Sequence, residues 1–318
     1  MKRAGLKAEG LSDLLTMVGM TNQAANLVMQ LANPGVGYGV AESRVTSGSA
    51  FHRPLKRTRT TAMFLAVATD GTKEDMDYFR EVVREVHSHV RSRPGGSPVK
   101  YSANSPELQL WVAMCLMRFY LDQWQLLYGD LPEDVRDRMI REAAPLGTAL
   151  NVRESMWPQS YAEYVDRWNG MVADMTIDEP IREKLEELAS LRFVNDAWGP
   201  IGKLISSTAG PLYRWLTIAS TPADIRHLMG WEWTEKDARL YRAFLVPMRI
   251  ADAITQPWMG KLFQRVILWD LRWHMKRGKN PLWELRLEPE RGVLTENPSM
   301  PSCPSGMHRV EAGDAPRS

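Results

Sequence analysis

Few residues in this chain are equipped for chemistry, and His87 is the first of them. It stands near the end of TKEDMDYFREVVREVHSHVRSR, Thr72 to Arg93. Thr72 and Asp75 have capping-box spacing, so the helix start is well marked. Met76, Phe79, Val83, Val86 and Val90 then recur at steps of three and four and form one apolar stripe. At about 100° per residue, His87 falls roughly 60° from the centre of that stripe and His89 roughly 100° away. His87 therefore leans toward the core, and His89 toward the edge. Pro94-Gly95-Gly96 ends the element.

The second lead is RPLKRTRTTAMFLAVATDG, from Arg53, a helix with a basic first half and an apolar second half. Arg57 and Thr61 are four apart and share a face. Such a run is a solvated basic turn in most proteins. The alternative reading is an anion site, because a guanidinium matches carboxylate or phosphate geometry. The glycine-rich GVGYGV superficially resembles a phosphate loop, but no strand precedes it and no lysine closes it.

Spacing removes most metal chemistries. A di-iron bundle wants two Glu-x-x-His units plus further glutamates, and Asp224-x-x-His227 is the only near match. His-Glu-x-x-His is absent. His87 and His89 lie roughly 200° apart around a helix and cannot readily share an ion. With Cys115 and Cys303 the only cysteines, a disulfide framework, a four-cysteine zinc site and an iron–sulfur cluster built from this chain alone are excluded. No Gly-x-Ser-x-Gly elbow is present. What survives is a cofactor needing one protein ligand. Haem is the main such case, with one axial histidine and basic side chains at the propionates. Without Cys-x-x-Cys-His it would be a non-covalent haem b. The competing readings are a structural core histidine, and a non-haem site using His227, His274, Asp224 and Asp270.

Helices must position these groups. Residues 12 to 32 read as one amphipathic helix capped by Ser12, ending before Asn33-Pro34-Gly35. Asn104 or Ser105 caps the long apolar run up to Gly129, with Pro106 at its first position; this is the expected central helix. Further helices are expected over Leu131 to Ala144, after Ser160, from Pro180, after Thr221-Pro222 and from Thr234, with a last one over Trp258 to Arg277. No segment alternates with period two and no fixed-period repeat is present, so the chain reads as all-α. The expected architecture is a single large multi-helix bundle around a buried central helix over residues 1–285, enclosing its cofactor in the manner of a globin, followed by a tail over 286–318.

Composition places limits on the function. A hydrophobic fraction of 44% and a charged fraction of 25% are ordinary for a soluble globular protein. A formal net charge of +2 gives no argument for nucleic acid or acidic lipid. The N-terminus makes a poor signal peptide. Leu108 to Tyr128 is long enough to span a bilayer, but Arg118, Asp122, Gln109, Gln123 and Gln125 argue for a buried helix instead. A cytoplasmic protein without a transmembrane segment is expected, and its 12 tryptophans are compatible with peripheral membrane contact.

Several blocks in order carry a family resemblance: NLVMQLANPGVGYGVAESR, RTRTTAMFLAVATDGT, VREVHSHV, YSANSPELQLWV, LPEDVRDRMIREAAPLGTALNV and DIRHLMGWEWT. Over roughly residues 20 to 275 the chain resembles the MpaB oxygenase and latex-clearing protein family. The resemblance implies an all-α domain holding haem b. The family's V-H-x-x-V block matches Val86-His87-Ser88-His89-Val90 and makes His87 the axial ligand; its Arg-x-x-x-Thr pair near the haem maps to Arg57 and Thr61. Tyr101, Asn104 and Pro106 match a Y-x-A-N-x-P block read as positioning the central helix. Relatives often carry glycine directly after V-H-x-x-V, whereas Arg91-Ser92-Arg93 intervenes here, so the helix is expected to run one turn further. The implied activity is an oxidoreductase bringing dioxygen to an apolar, isoprenoid or unsaturated substrate at a His87-ligated iron. The alternative is a non-catalytic helical protein that binds haem or an apolar ligand.

Overall fold

The computed structural model describes residues 8, 10–45, 53–93, 96–279 and 287. Among these the chain forms thirteen α-helices and no strand, so the all-α expectation holds. The early helices are α1 Met17–Thr21, α2 Gln23–Ala32, α3 Pro34–Ala41, α4 Pro54–Asp70 and α5 Lys73–Ser88. The middle of the chain forms α6 Pro106–Tyr128, α7 Glu133–Glu142, α8 Pro145–Thr148 and α9 Tyr161–Val172. The last are α10 Glu179–Ala189, α11 Val194–Ser220, α12 Ala223–Met229 and α13 Glu235–Lys276. No helix among the described residues is long and apolar enough to cross a membrane.

α6 is the buried centre. The Ser105 side chain accepts from Leu108 N–H, Pro106 fills the first position where no N–H is needed, and Gly129 at φ 87° turns the chain out. Buried aromatics around α6 find polar partners in the packing. Trp111 donates to the Gln30 carbonyl of α2 at 2.9 Å and stacks on Trp168 of α9 at 5.0 Å, while Tyr164 donates to the Met114 carbonyl at 2.7 Å. Truncating one of these fully buried aromatics to alanine should cost about 3–5 kcal/mol.

Four local expectations are corrected. The helix expected over 12 to 32 is a 3₁₀ turn, Leu11–Leu14, followed by α1 and α2. Thr16 rather than Ser12 caps α1, and the Asn22 amide donates to the Leu216 carbonyl at 2.7 Å and the Ser220 hydroxyl at 2.8 Å, holding a break between the two helices. Second, α5 stops at Ser88 instead of Arg93. Beyond it, an antiparallel bridge joins Arg91 to Ser102, and Ser92 N–H and Ala103 N–H pair with the Tyr101 and Val90 carbonyls, each at 2.9 Å. That ladder takes backbone groups a further helical turn would need. Third, the 27-residue α11 is a helix the sequence did not announce, because Gly199-Pro200 and Gly210-Pro211 read as breakers; the kink falls at Gly199, φ 56°. Fourth, α13 is one 42-residue helix running through Pro247 and Pro257.

GVGYGV lies in α3, with the Asn33 side chain capping it, and is not a phosphate loop. A methyl at Gly37 would sit 2.6 Å from the Leu31 carbonyl, so glycine is what lets α3 turn back tightly on α2. Most of the tail expected from 286 onward, with Cys303 and His308, lies outside the described residues, as do Pro94 and Gly95.

Candidate active site

His87 sits in the last turn of α5. Its ring lines a cavity of about 190 Å³ whose wall includes Leu27 and Gln30 of α2, Gly35 and Gly39 of α3, Arg57 and Phe64 of α4, and Gln109 of α6. The ladder after His89 brings Ala103 back beside the imidazole, which hydrogen-bonds the Ala103 carbonyl. Gln109 Nε2 donates to that same carbonyl at 2.8 Å and lies 3.5 Å from Nδ1. Gln109 is held in turn by Asn151 N–H, which donates to its side-chain oxygen at 2.8 Å. The Gln109 contact falls on the Nδ1 side of the ring. Burial, reinforced by the Arg57 cation and opposed by the Ala103 bond, lowers the His87 pKa to about 4. The ring is therefore neutral at pH 7. That is the state a metal-ligating histidine needs.

Arg57 lines the His87 cavity and also a second one of about 140 Å³, and Leu27 and Gln30 belong to both walls. Its guanidinium has no hydrogen bond or ion pair among the described residues, and burial lowers its pKa. The basic first half of α4 is thus not simply a solvated turn. Thr61, one helical turn on, lines the second cavity with Thr58, Tyr120 and Phe263. The other polar side chains of this stretch bond within the protein: Arg59 pairs with Asp270, Thr58 donates to the Pro54 carbonyl and Thr60 to the Lys56 carbonyl. His87, Arg57 and Thr61 therefore stand around two adjoining cavities, with Arg57 in the shared wall.

Whether this donor set suits haem b can be judged on three features. The imidazole lining the cavity is neutral. A half-buried guanidinium with no acid among the described residues is suited to an anion supplied by the cavity's occupant, which is what a propionate is. Gly35 and Gly39 share the face of α3 in the first cavity's wall; a methyl would meet Leu108 at 3.0 Å in one case and the Tyr101 ring at 3.3 Å in the other. Glycine at both positions keeps that wall open. The residues present fit the group. By contrast, His227 is exposed on α12, Asp224 accepts from Trp168 at 2.5 Å, and Asp270 is engaged by Arg59 and by His274 at 3.2 Å. No group of three or more His, Cys, Asp or Glu among the described residues could hold a metal ion. Cys115 is buried in α6, where burial raises its pKa well above the ordinary thiol value.

Several contributors escaped the sequence reading. Gln109 was visible only as a polar interruption of an apolar run, and Ala103 and Asn151 only as positions inside the family-like blocks, with no role marked. Asn104 bonds the Arg84 carbonyl at 3.1 Å and its own carbonyl accepts from Asn151 at 3.3 Å, tying the end of α5 to the loop after α8. Tyr101, in the first cavity's wall, donates to Glu42 at 2.8 Å, and the other Glu42 carboxylate oxygen is buried without a partner. Burial and the Glu42 carboxylate push the Tyr101 hydroxyl well above its usual pKa.

Comparison with known proteins agrees with this architecture. Residues 14–250 match the family described as ER-bound oxygenase mpaB/B'/Rubber oxygenase, catalytic domain. The uncharacterized proteins Mb2261 of Mycobacterium bovis and Rv2237 of Mycobacterium tuberculosis are each 39% identical over 256 residues, covering 80% of this chain and 97% of their own. No solved structure matches. A model match over most of the bundle that carries His87, Arg57 and Thr61 places the chain in the mpaB/rubber oxygenase family, of which it carries the oxygenase catalytic domain.

Proposed function

We propose that this oxygenase uses haem b, held by His87, to oxidise an apolar substrate with dioxygen, an unsaturated or isoprenoid chain being the substrate class. The observation that carries the reading is the unpaired Arg57 guanidinium in a wall shared with the cavity of a neutral, singly tethered His87. Haem b, when bound, supplies dioxygen activation and redox chemistry.

The chain's own residues supply ligation, charge and exclusion of water. His87 would offer one ring nitrogen, with the Ala103 carbonyl orienting the ring. Gln109 braces this arrangement from α6. Arg57 pairs with a carboxylate of the bound group, and Thr61 offers a hydroxyl beside it. Leu27, Val36, Phe64 and Val112 present apolar surface that keeps water out and favours a hydrocarbon substrate. Tyr101 holds its hydroxyl proton at the same wall and donates it to Glu42.

The full chain, purified after haem-supplemented expression, tests this by its absorption spectrum and a pyridine haemochrome assay. A strong Soret band with about one b-type haem per chain is expected, followed by oxygen uptake with isoprenoid or unsaturated lipid substrates. A colourless protein that also refuses added haemin would overturn the reading.

A further inference from the structure

We propose that the first half of α13, with neighbouring α11, is a docking face for anionic lipid bilayers. Leu240, Val246, Ile250 and Ile254 are 52%, 53%, 59% and 67% exposed, an unusual density of large apolar side chains in water. At about 100° per residue they occupy an arc of roughly 120°, opposite the buried Tyr241 and Leu245 that pack the helix onto the bundle. α11 packs beside it through Trp215 against Tyr241 and Phe244, and exposes Ile201, Leu204 and Leu212.

Charge selects the occupant. Between Asp237 and Asp270, α13 carries Arg239, Arg242, Arg249, Lys261 and Arg265, and its sole acid is Asp252, which is buried and bonded to Tyr128. A net charge of +2 for the whole chain conceals this local excess. From its start the first half of α13 carries Lys236, Arg239, Arg242 and Arg249 against the exposed Glu235 and against Asp237, which is bonded to Thr234 and Trp215. Beyond Asp237 the apolar arc is bordered by cations with no exposed carboxylate, the pattern of a helix lying in an anionic membrane interface. A second copy seated on the same face by a two-fold axis would set these cations against their own counterparts. Further along α13, Gly260, Phe263 and Gln264 line the Thr61 cavity, and Phe263 is 40% exposed. The docking helix therefore also forms the cavity wall that an apolar substrate leaving a bilayer would meet.

Co-sedimentation of the full chain with phosphatidylcholine vesicles, with and without phosphatidylglycerol, tests the proposal without reference to haem. Binding is expected only with phosphatidylglycerol and should weaken as salt rises. Arg239→Gln with Arg242→Gln should lower partitioning roughly 30-fold, taking two cations at the surface. Ile250→Ser with Ile254→Ser should lower it at least as far; all four positions are exposed, so the helical circular dichroism should persist in both variants. Three outcomes would overturn the proposal: no binding at low ionic strength, binding indifferent to both variant pairs, or a dimer in light scattering that the isoleucine pair converts to monomer.

Discussion

Replacing Arg57 with methionine should have opposite effects on the empty and the loaded protein. In the empty chain the guanidinium is half-buried and desolvated, finds no acid among the described residues, and depresses the pKa of His87 across the cavity. Methionine fills a similar volume with flexible apolar atoms and removes the desolvated charge. Exchanges of buried charge for apolar bulk are commonly neutral to stabilising, by about 1–4 kcal/mol. Because Arg57 keeps part of its surface open to the cavity, about 1–2 kcal/mol is the fitting range, a rise of roughly 2–3 °C in melting temperature for a chain of this length. With haemin bound, the same substitution deletes a charge-assisted contact worth about 1.5–3 kcal/mol, so haemin affinity should fall roughly 10–150-fold. Urea unfolding of the haem-free protein gives the first number, and haemin titration followed at the Soret band gives the second. An Arg57→Met variant that loses more than about 1 kcal/mol when empty, or binds haemin as wild type does, would refute the reasoning.

Other consequences follow from individual contacts. His87 is held near a pKa of about 4 against an ordinary 6.5, so between these values the unfolded chain binds a proton that the folded chain refuses. Its contribution is intact above the ordinary value and lost as pH falls, by about 1.4 kcal/mol per pH unit and up to about 3 kcal/mol in all. Urea midpoints across that range should fall less steeply in His87→Phe; identical slopes would contradict a buried neutral ring. Gln109→Leu strands Asn151 N–H and loosens the Ala103 carbonyl, so about 1–3 kcal/mol of stability should be lost in chemical denaturation. Two glycines should respond oppositely to alanine. At Gly37 the methyl meets the Leu31 carbonyl at 2.6 Å and should cost about 1–3 kcal/mol, whereas at Gly170 in α9 nothing lies within 4 Å and about 0.5–1 kcal/mol should be gained. Thermal melts of the pair separate steric exclusion from helix propensity.

Local rules and tertiary context divided the legible from the hidden. Thr72–Asp75 and Thr234–Asp237 form the reciprocal capping boxes their spacing announces, because such boxes are satisfied within four residues. The same locality made α6 readable from Ser105-Pro106 to Gly129. Where distant groups decide, the sequence was silent. Asn22 breaks α1 from α2 because Leu216 and Ser220 receive its amide, and α5 ends early because Tyr101 and Ala103 pair with the strand-like segment after it. α11 was obscured by glycine-proline pairs that a kinked helix absorbs. In the site, His87 was found by its place on an apolar stripe and Arg57 by its spacing from Thr61. The braces around His87 come from a loop and from α6, and nothing in the sequence ties Ala103 or Asn151 to a histidine some way back along the chain. The ladder that ends α5 also leaves His89 exposed just beyond that helix while His87 stays in the cavity wall.

That contrast supplies the most direct test. His87→Ala and His89→Ala should be expressed with supplemental haem and compared with the parent chain for b-type haem retained per chain and for the Soret band. Loss of haem in His87→Ala with retention in His89→Ala is the predicted result, and added imidazole should restore a band to the His87→Ala protein. Full retention in His87→Ala, or loss confined to His89→Ala, would contradict the assignment of His87 as the axial ligand.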